Sequence, residues 1–181
     1  MSSAMLDDVA LARRAPDEPE LFTVLFHRHV HDVHRFIRRR TGHDMLADDL
    51  TALTFERCWK ALPGFRPRGD SLRPWLMRIA ANEVASHYRS ESRRHRREQL
   101  VVVRDHPLRP SGEPDLPDDR LVEALAALDE RYQTVLSLRF LADLSTDEAA
   151  QAMDIGRSHL AVLQYRALAA LRRQMEGPGD V

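Results

Sequence analysis

Arginine carries most of the chemistry available to this chain. Five arginines, Arg89, Arg93, Arg94, Arg96 and Arg97, crowd one short stretch. Each guanidinium offers a planar fork of N–H donors that matches phosphate oxygens. A run of that density suits a polyanion, because every phosphate it neutralises releases condensed counterions. A second set lies further on, where Arg157, Ser158, Val162, Tyr165 and Arg166 share the outward side of a helical pattern. That mixture is able to touch phosphates and base edges in a major groove. A charge run taken alone is as often a plain solvated face.

Other reactive residues point to less. His27, His31 and His34 share one helical face, a spacing that could hold a metal, but no cysteine or paired carboxylate completes a site, so a solvated or partly packed face is the better reading. The single cysteine, Cys58, has no disulfide partner and reads as an inert, half-buried thiol. No GxSxG, P-loop, CxxC or HExxH spacing occurs. Neither a cofactor nor a metal is therefore expected, and the protein is not expected to be an enzyme.

The elements that must position these residues read as helices. Leu21, Leu25, His29, Val33, Phe36 and Ile37 repeat at helical spacing, with Arg38, Arg39 and Arg40 on the last turn before Thr41 and Gly42. A second helix begins near Asp44, carries Leu46, Leu50, Leu53, Phe55, Trp59 and Leu62, and stops at Pro63 and Gly64. The segment FRPRGDSLR, Phe65 to Arg73, is a loop by its Pro, Gly and Asp content. Pro74 opens a third helix through Trp75, Ile79, Asn82, Val84 and Tyr88 into the arginine cluster, with Trp75 expected to pack. Pro107, Pro110, Pro114 and Pro117 mark a linker, so the modules on either side are expected to be tethered rather than fused. Shorter helical patterns follow. Ser145 or Thr146 with Glu148 forms a capping box, a turn runs from Met153 to Gly156, and a last helix carries the inward stripe Leu160, Leu163, Ala167, Leu168 and Leu171. This is a helix-turn-helix signature.

Charge divides along the same lines. The net charge is only −1, yet from His27 to Arg104 there are 17 Lys/Arg against 9 Asp/Glu, and from Asp105 to Ile155 there are 4 against 12. Four arginines and no acid then occupy Gly156 to Arg173. Two basic patches flank an acidic middle, the footprint of a polyanion binder. The longest apolar runs are far shorter than the ~20 residues that a bilayer span needs. The start, MSSAMLDDVA, lacks the form of an export signal, so a cytoplasmic protein is expected.

Three segments now resemble a known family, the sigma-70 superfamily in its extracytoplasmic-function group. ADDLTALTFERCWKALPGF looks like the family's second region and WLMRIAANEVASHYR like the stretch that follows it. The helix-turn-helix with VLQYRAL resembles the fourth region. The resemblance implies an all-α fold of two small helical modules. Its division would be a tail at 1–18, region 2 at 19–100, a Pro-rich acidic linker at 101–118, region 4 at 119–176 and a tail at 177–181. It implies an RNA polymerase sigma factor that directs core polymerase to promoters and helps melt the minus 10 element. The partners would be core polymerase, through the beta-prime clamp and the beta flap, then promoter DNA and an anti-sigma factor, with no membrane span.

Residue by residue, the resemblance places Asp48, Asp49, Phe55 and Arg57 at the polymerase clamp. Phe65, Arg66, Arg68, Asp70, Ser71 and Arg73 would form the loop that captures a flipped base of the minus 10 element. Asn82 would share that readout, and an asparagine suits it because its amide both donates and accepts hydrogen bonds. Arg89 and Arg93 would hold the phosphates of the separating strands. Arg157, Ser158, His159, Val162, Tyr165 and Arg166 would read the minus 35 element. Ala52 and Leu53 stand where the family usually carries Gln and Glu, Ala161 replaces a common basic residue, and Asp154 replaces the turn's glycine, with Gly156 two positions later. These departures bear on clamp contact and promoter preference. The competing readings are a stand-alone helix-turn-helix regulator that dimerises through its N-terminal module, and an interaction protein that has lost DNA binding.

Overall fold

The computed structural model describes residues 6–66, 71–98 and 118–176. The linker expected at 101–118, apart from Asp118, therefore lies outside the described residues, as do Arg68 and Asp70 of the capture loop. The described residues contain helices and no strand.

The first helix, α1 (Asp8–Arg14), falls in the stretch 1–18 that the sequence reading gives as a tail. Asp7 caps it by accepting from the Ala10 N–H, and Leu11, Ala12 and Ala15 are buried. Asp8 ties it to α2 (Pro19–Thr41), accepting from Arg28 at 2.8 Å and meeting His29 Nε2 at 2.7 Å. His29 was placed in the apolar stripe, and its burial is accounted for by this carboxylate. All six expected stripe residues of α2 are buried, and the helix ends on Gly42, whose φ of 65° is left-handed. Glycine adopts that backbone without a Cβ clash.

Helix α3 (Asp44–Ala61) turns a different face inward from the one its large apolar residues mark. Ala47, Leu50, Thr51, Thr54, Phe55 and Cys58 are buried, whereas Leu53 is 43% exposed and Trp59 also reaches the surface. Small side chains let neighbouring helices approach, and Thr54 satisfies its hydroxyl on the Leu50 carbonyl at 2.6 Å. A short 3₁₀ turn (Leu62–Gly64) leads to the loop, and α4 (Arg73–Glu98) follows. Trp75 packs on Phe65 with ring centroids 4.8 Å apart.

The C-terminal module contains α5 (Asp119–Ala126), α6 (Glu130–Leu136) continued by a π-helical turn (Ser137–Leu141), α7 (Thr146–Met153) and α8 (Arg157–Glu176). Asp118 and Asp129 cap α5 and α6. The capping box at α7 is formed in both directions, Ser145 N–H to Glu148 at 2.8 Å and Glu148 N–H to Ser145 Oγ at 3.2 Å. In α8, Leu160, Leu163 and Ala167 are buried, but Leu168, placed inward from sequence, is exposed. The two modules do not stand apart. Their buried side chains form one continuous apolar cluster, and α4 lies against α5, α6 and α7. The expectation of modules tethered without packing is thereby corrected. Among the described residues no helix is long and apolar enough to cross a membrane.

Candidate nucleic-acid interface

The helix-turn-helix is built around one aspartate. Asp154, directly after α7, adopts φ 56° and ψ 44°, and its N–H reaches the Gln151 carbonyl at 3.2 Å. Aspartate is among the few side chains that enter this left-handed region at modest cost. The turn thus needs no glycine at Asp154. Gly156 is not the left-handed position, and a Cβ there would meet nothing within 4 Å. Beyond the turn, Arg157, Ser158, His159, Val162, Tyr165 and Arg166 are all exposed on α8, Tyr165 at 76%. The structure therefore brings this entire expected set together on one open helical surface. Ala161 is exposed within it.

In the N-terminal module, α3 and α4 enclose a groove of about 640 Å³ lined by Leu53, Glu56, Arg57, Lys60, Ala61, Ile79, Asn82 and Glu83. Asn82 sits exposed on its wall. Glu83, only 4% exposed, pairs with Arg57 at 2.7 Å. Burial pushes the Glu83 carboxyl above its ordinary range and Arg57 opposes that shift. The Arg57–Glu83 pair beside Asn82 was not legible from sequence, because it joins two helices.

The four residues expected at the polymerase clamp do not form one patch. Asp48 and Asp49 are exposed, Asp48 within 3.0 Å of His34. Phe55 is buried against Phe22 and Phe26, with ring centroids 6.4 and 4.8 Å away, and can only support that surface. Arg57 lies about two turns along from Asp49, lines the Asn82 groove and pairs there with Glu83. Met45, 75% exposed and one turn before Asp48 and Asp49, joins the carboxylates on their face and was missed in the sequence. An exposed methionine at a helix start was the available signal.

Of the loop, Phe65 is buried, Arg66 and Ser71 are exposed, and Ser71 Oγ accepts from the Arg73 N–H at 3.2 Å. Arg73 itself turns to the C-terminal module, donating to the Ala142 carbonyl at 2.7 Å. Arg89 is ion-paired with Glu130, and Arg93 is exposed. Side chains further along the arginine run, at Arg96 and Arg97, lie outside what is described.

Of the remaining reactive groups, Cys58 is buried, and burial pushes its thiol up to about 12, which leaves it protonated and unreactive at neutral pH. His27 and His31 are exposed, and among the described residues no three His, Cys, Asp or Glu come together as a metal cage.

Comparison with known proteins agrees with this geometry. The family Sigma-70 region 2 matches residues 25–94, and Sigma-70 region 4 matches residues 124–173. The ECF RNA polymerase sigma factor BldN of Streptomyces coelicolor is 31% identical, over 95% of this chain and 66% of BldN. The chain thus spans about two thirds of that relative's length. Among solved structures, CnrH in complex with the cytosolic domain of CnrY is 25% identical with a TM-score of 0.61, covering 95% of this chain and 99% of CnrH. The sigma factor RpoE of Bartonella quintana, bound to the anti-sigma factor NepR, shares the fold at 20% identity and a TM-score of 0.58, covering 87% of this chain and 98% of that one. With both conserved regions matched in order along one helical chain, this protein belongs to the sigma-70 superfamily, in its extracytoplasmic-function group.

Proposed function

We propose that the protein directs core RNA polymerase to specific promoters and helps melt the minus 10 element, acting in the cytoplasm as an initiation factor rather than as an enzyme. The observation that carries this reading is the pairing, in one chain, of matches to both sigma regions with an exposed reading face on α8. In this reading α8 enters the major groove at the minus 35 element. Tyr165 and Val162 would touch base edges and Arg157 and Arg166 phosphates, with Ser158 and His159 beside them.

The minus 10 strand would run over the N-terminal module. A flipped base would meet Phe65, Arg66, Arg68, Asp70 and Ser71 of the loop together with Asn82, while Arg73, Arg89 and Arg93 hold phosphates. Arg57 is reassigned from the clamp to this side, where its pairing with Glu83 stiffens the wall that carries Asn82. The clamp surface then consists of Asp48 and Asp49, with Met45 between solvent and the helix and Phe55 beneath. The beta flap would take the C-terminal module. An anti-sigma factor is a further partner, a reading supported by the similar RpoE of Bartonella quintana, solved with the anti-sigma factor NepR bound, and by CnrH, solved with the cytosolic domain of CnrY bound.

Reconstitution with core polymerase tests the reading through promoter-dependent run-off transcripts from a genomic promoter library. If no transcript forms while the protein alone shifts duplex DNA, the stand-alone regulator takes its place.

A further inference from the structure

Helix α1 is too short to stand by itself. Its 7 residues fall well below the ~12–15 that an isolated helix needs in water, so packing must hold it in place. Two neighbouring side chains of α2 do so. Arg28 Nη1 donates to the Leu6 carbonyl at 2.9 Å and to Asp8 at 2.8 Å, gripping the chain on both sides of the Asp7 cap. His29 Nε2 meets the second oxygen of Asp8 at 2.7 Å. One carboxylate thus joins both partners, in a first helical turn where the dipole favours an acid. On the inward side Leu11, Ala12 and Ala15 are fully buried.

Besides α2, this helix lies against the 3₁₀ turn Leu62–Gly64. Leu62 is buried there, and its carbonyl accepts from the Phe65 N–H at 2.9 Å. Phe65 then packs on Trp75 in the first turns of α4. Leu11, Ala12, Ala15, Leu62 and Phe65 belong to one apolar cluster, with Trp75 packed against it. Among the described residues a Cβ on Gly64 would meet nothing within 4 Å, so the turn is held from its Leu62 side. A continuous line of packing therefore runs from α1 through Leu62 to Phe65 and Trp75. The match to Sigma-70 region 2 begins at residue 25, so α1 precedes it.

We infer that α1 is a brace for the minus 10 apparatus, and that Asp8 and Arg28 are positioning residues for base capture. By pinning α1 they hold the 3₁₀ turn, and the turn fixes Phe65 and Trp75 at the two ends of the proposed capture loop. A loop with fixed ends has less freedom to lose when it takes up a base, so capture is favoured. Neither residue needs to touch DNA. The inference rests on the sigma-factor reading in treating the segment from Phe65 to Arg73 as the capture loop.

The test uses the full chain. Arg28→Ala removes the grip on Leu6 and Asp8 without touching the buried residues of α1, and Arg28→Lys restores one donor for Asp8. Asp8→Asn is a second, independent variant. In a Trp59→Phe background Trp75 is the one tryptophan left, and its quenching by acrylamide reports the base of the loop without DNA or polymerase. Quenching should rise in Arg28→Ala and in Asp8→Asn, and return most of the way in Arg28→Lys. With core polymerase, open-complex formation read by permanganate should fall about three- to ten-fold in the first two variants, the worth of one partly exposed charged contact. Binding of an isolated minus 35 duplex by the protein alone should not change. Unchanged quenching or unchanged open-complex formation overturns the brace. An equal loss of minus 35 binding also overturns it, because α1 would then be general support for the fold. If wild type gives no run-off transcript with core polymerase, the sigma-factor reading fails, while the quenching result still decides whether α1 sets the base of the loop.

Discussion

At the scale of the residue, Asn82 and Glu83 are neighbours with opposite requirements. Asn82 is exposed and polar, and in the proposed reading its amide exchanges hydrogen bonds with an unstacked base. Asn82→Ala should slow open-complex formation about five- to fifty-fold, the worth of one or two hydrogen bonds. Binding to an isolated minus 35 duplex should stay unchanged, as read by permanganate footprinting beside gel shift. Glu83 is buried, and its folded carboxyl titrates above its ordinary value of 4.5. A raised folded value means that the group stabilises the fold below the unfolded value and loses that contribution as pH rises through the folded one. At pH 7 the ionised Glu83 therefore weighs on stability despite Arg57. Glu83→Gln should raise the melting temperature at neutral pH, with the advantage vanishing toward pH 4; an equal gain at both values would remove the titration argument.

At the scale of the element, the turn between α7 and α8 shows how a helix-turn-helix forms without its usual glycine. Asp154 carries the left-handed backbone, so Asp154→Val should destabilise the protein by about 1–2 kcal/mol, measured by urea unfolding. Asp154→Gly should not. Gly156→Ala should be neutral, since no positive φ and no close neighbour requires the glycine. Local signals also made much of this scale readable before the structure: the α2 stripe from Leu21 to Ile37, the stop at Gly42 and the Ser145–Glu148 capping box all stand as the spacing predicts. Helix α3 followed its large residues only in part, burying Leu50 and Phe55 but not Leu53. The buried face runs through Ala47, Thr51 and Thr54, and no apolar count identifies small residues as core when close helix approach is what buries them. Leu53, read as core, borders the groove instead.

At the scale of the whole molecule, the charge pattern acquires a second meaning. The excess of acids between Asp105 and Ile155 does more than keep two basic patches apart in sequence, because among the described residues the part from Asp118 onward lies against the N-terminal module. The ion pairs Arg39–Asp143 and Arg89–Glu130 between the modules are both partly exposed, and they should weaken when the Debye length falls from about 10 Å at 0.1 M salt to about 3 Å at 1 M. The scattering profile of the full chain should therefore expand with salt, while helicity stays constant. A profile independent of salt would assign closure to the shared apolar cluster alone.

Periodicity, caps and breakers, which act over a few residues, are written in the chain, and from them the sequence by itself determined the helices, the two modules and their order, the helix-turn-helix and the arginine-rich surfaces. Its motifs also led to the family. The tertiary structure alone decided that α1 packs on α2 through Asp8, His29 and Arg28, that Arg57 pairs with Glu83 beside Asn82, and that Arg40 is buried against Gln133. Each of these pairs joins different helices, and Arg40 and Gln133 stand 93 positions apart. Such partners are chosen by the packing of whole helices, and no local rule of spacing contains that information.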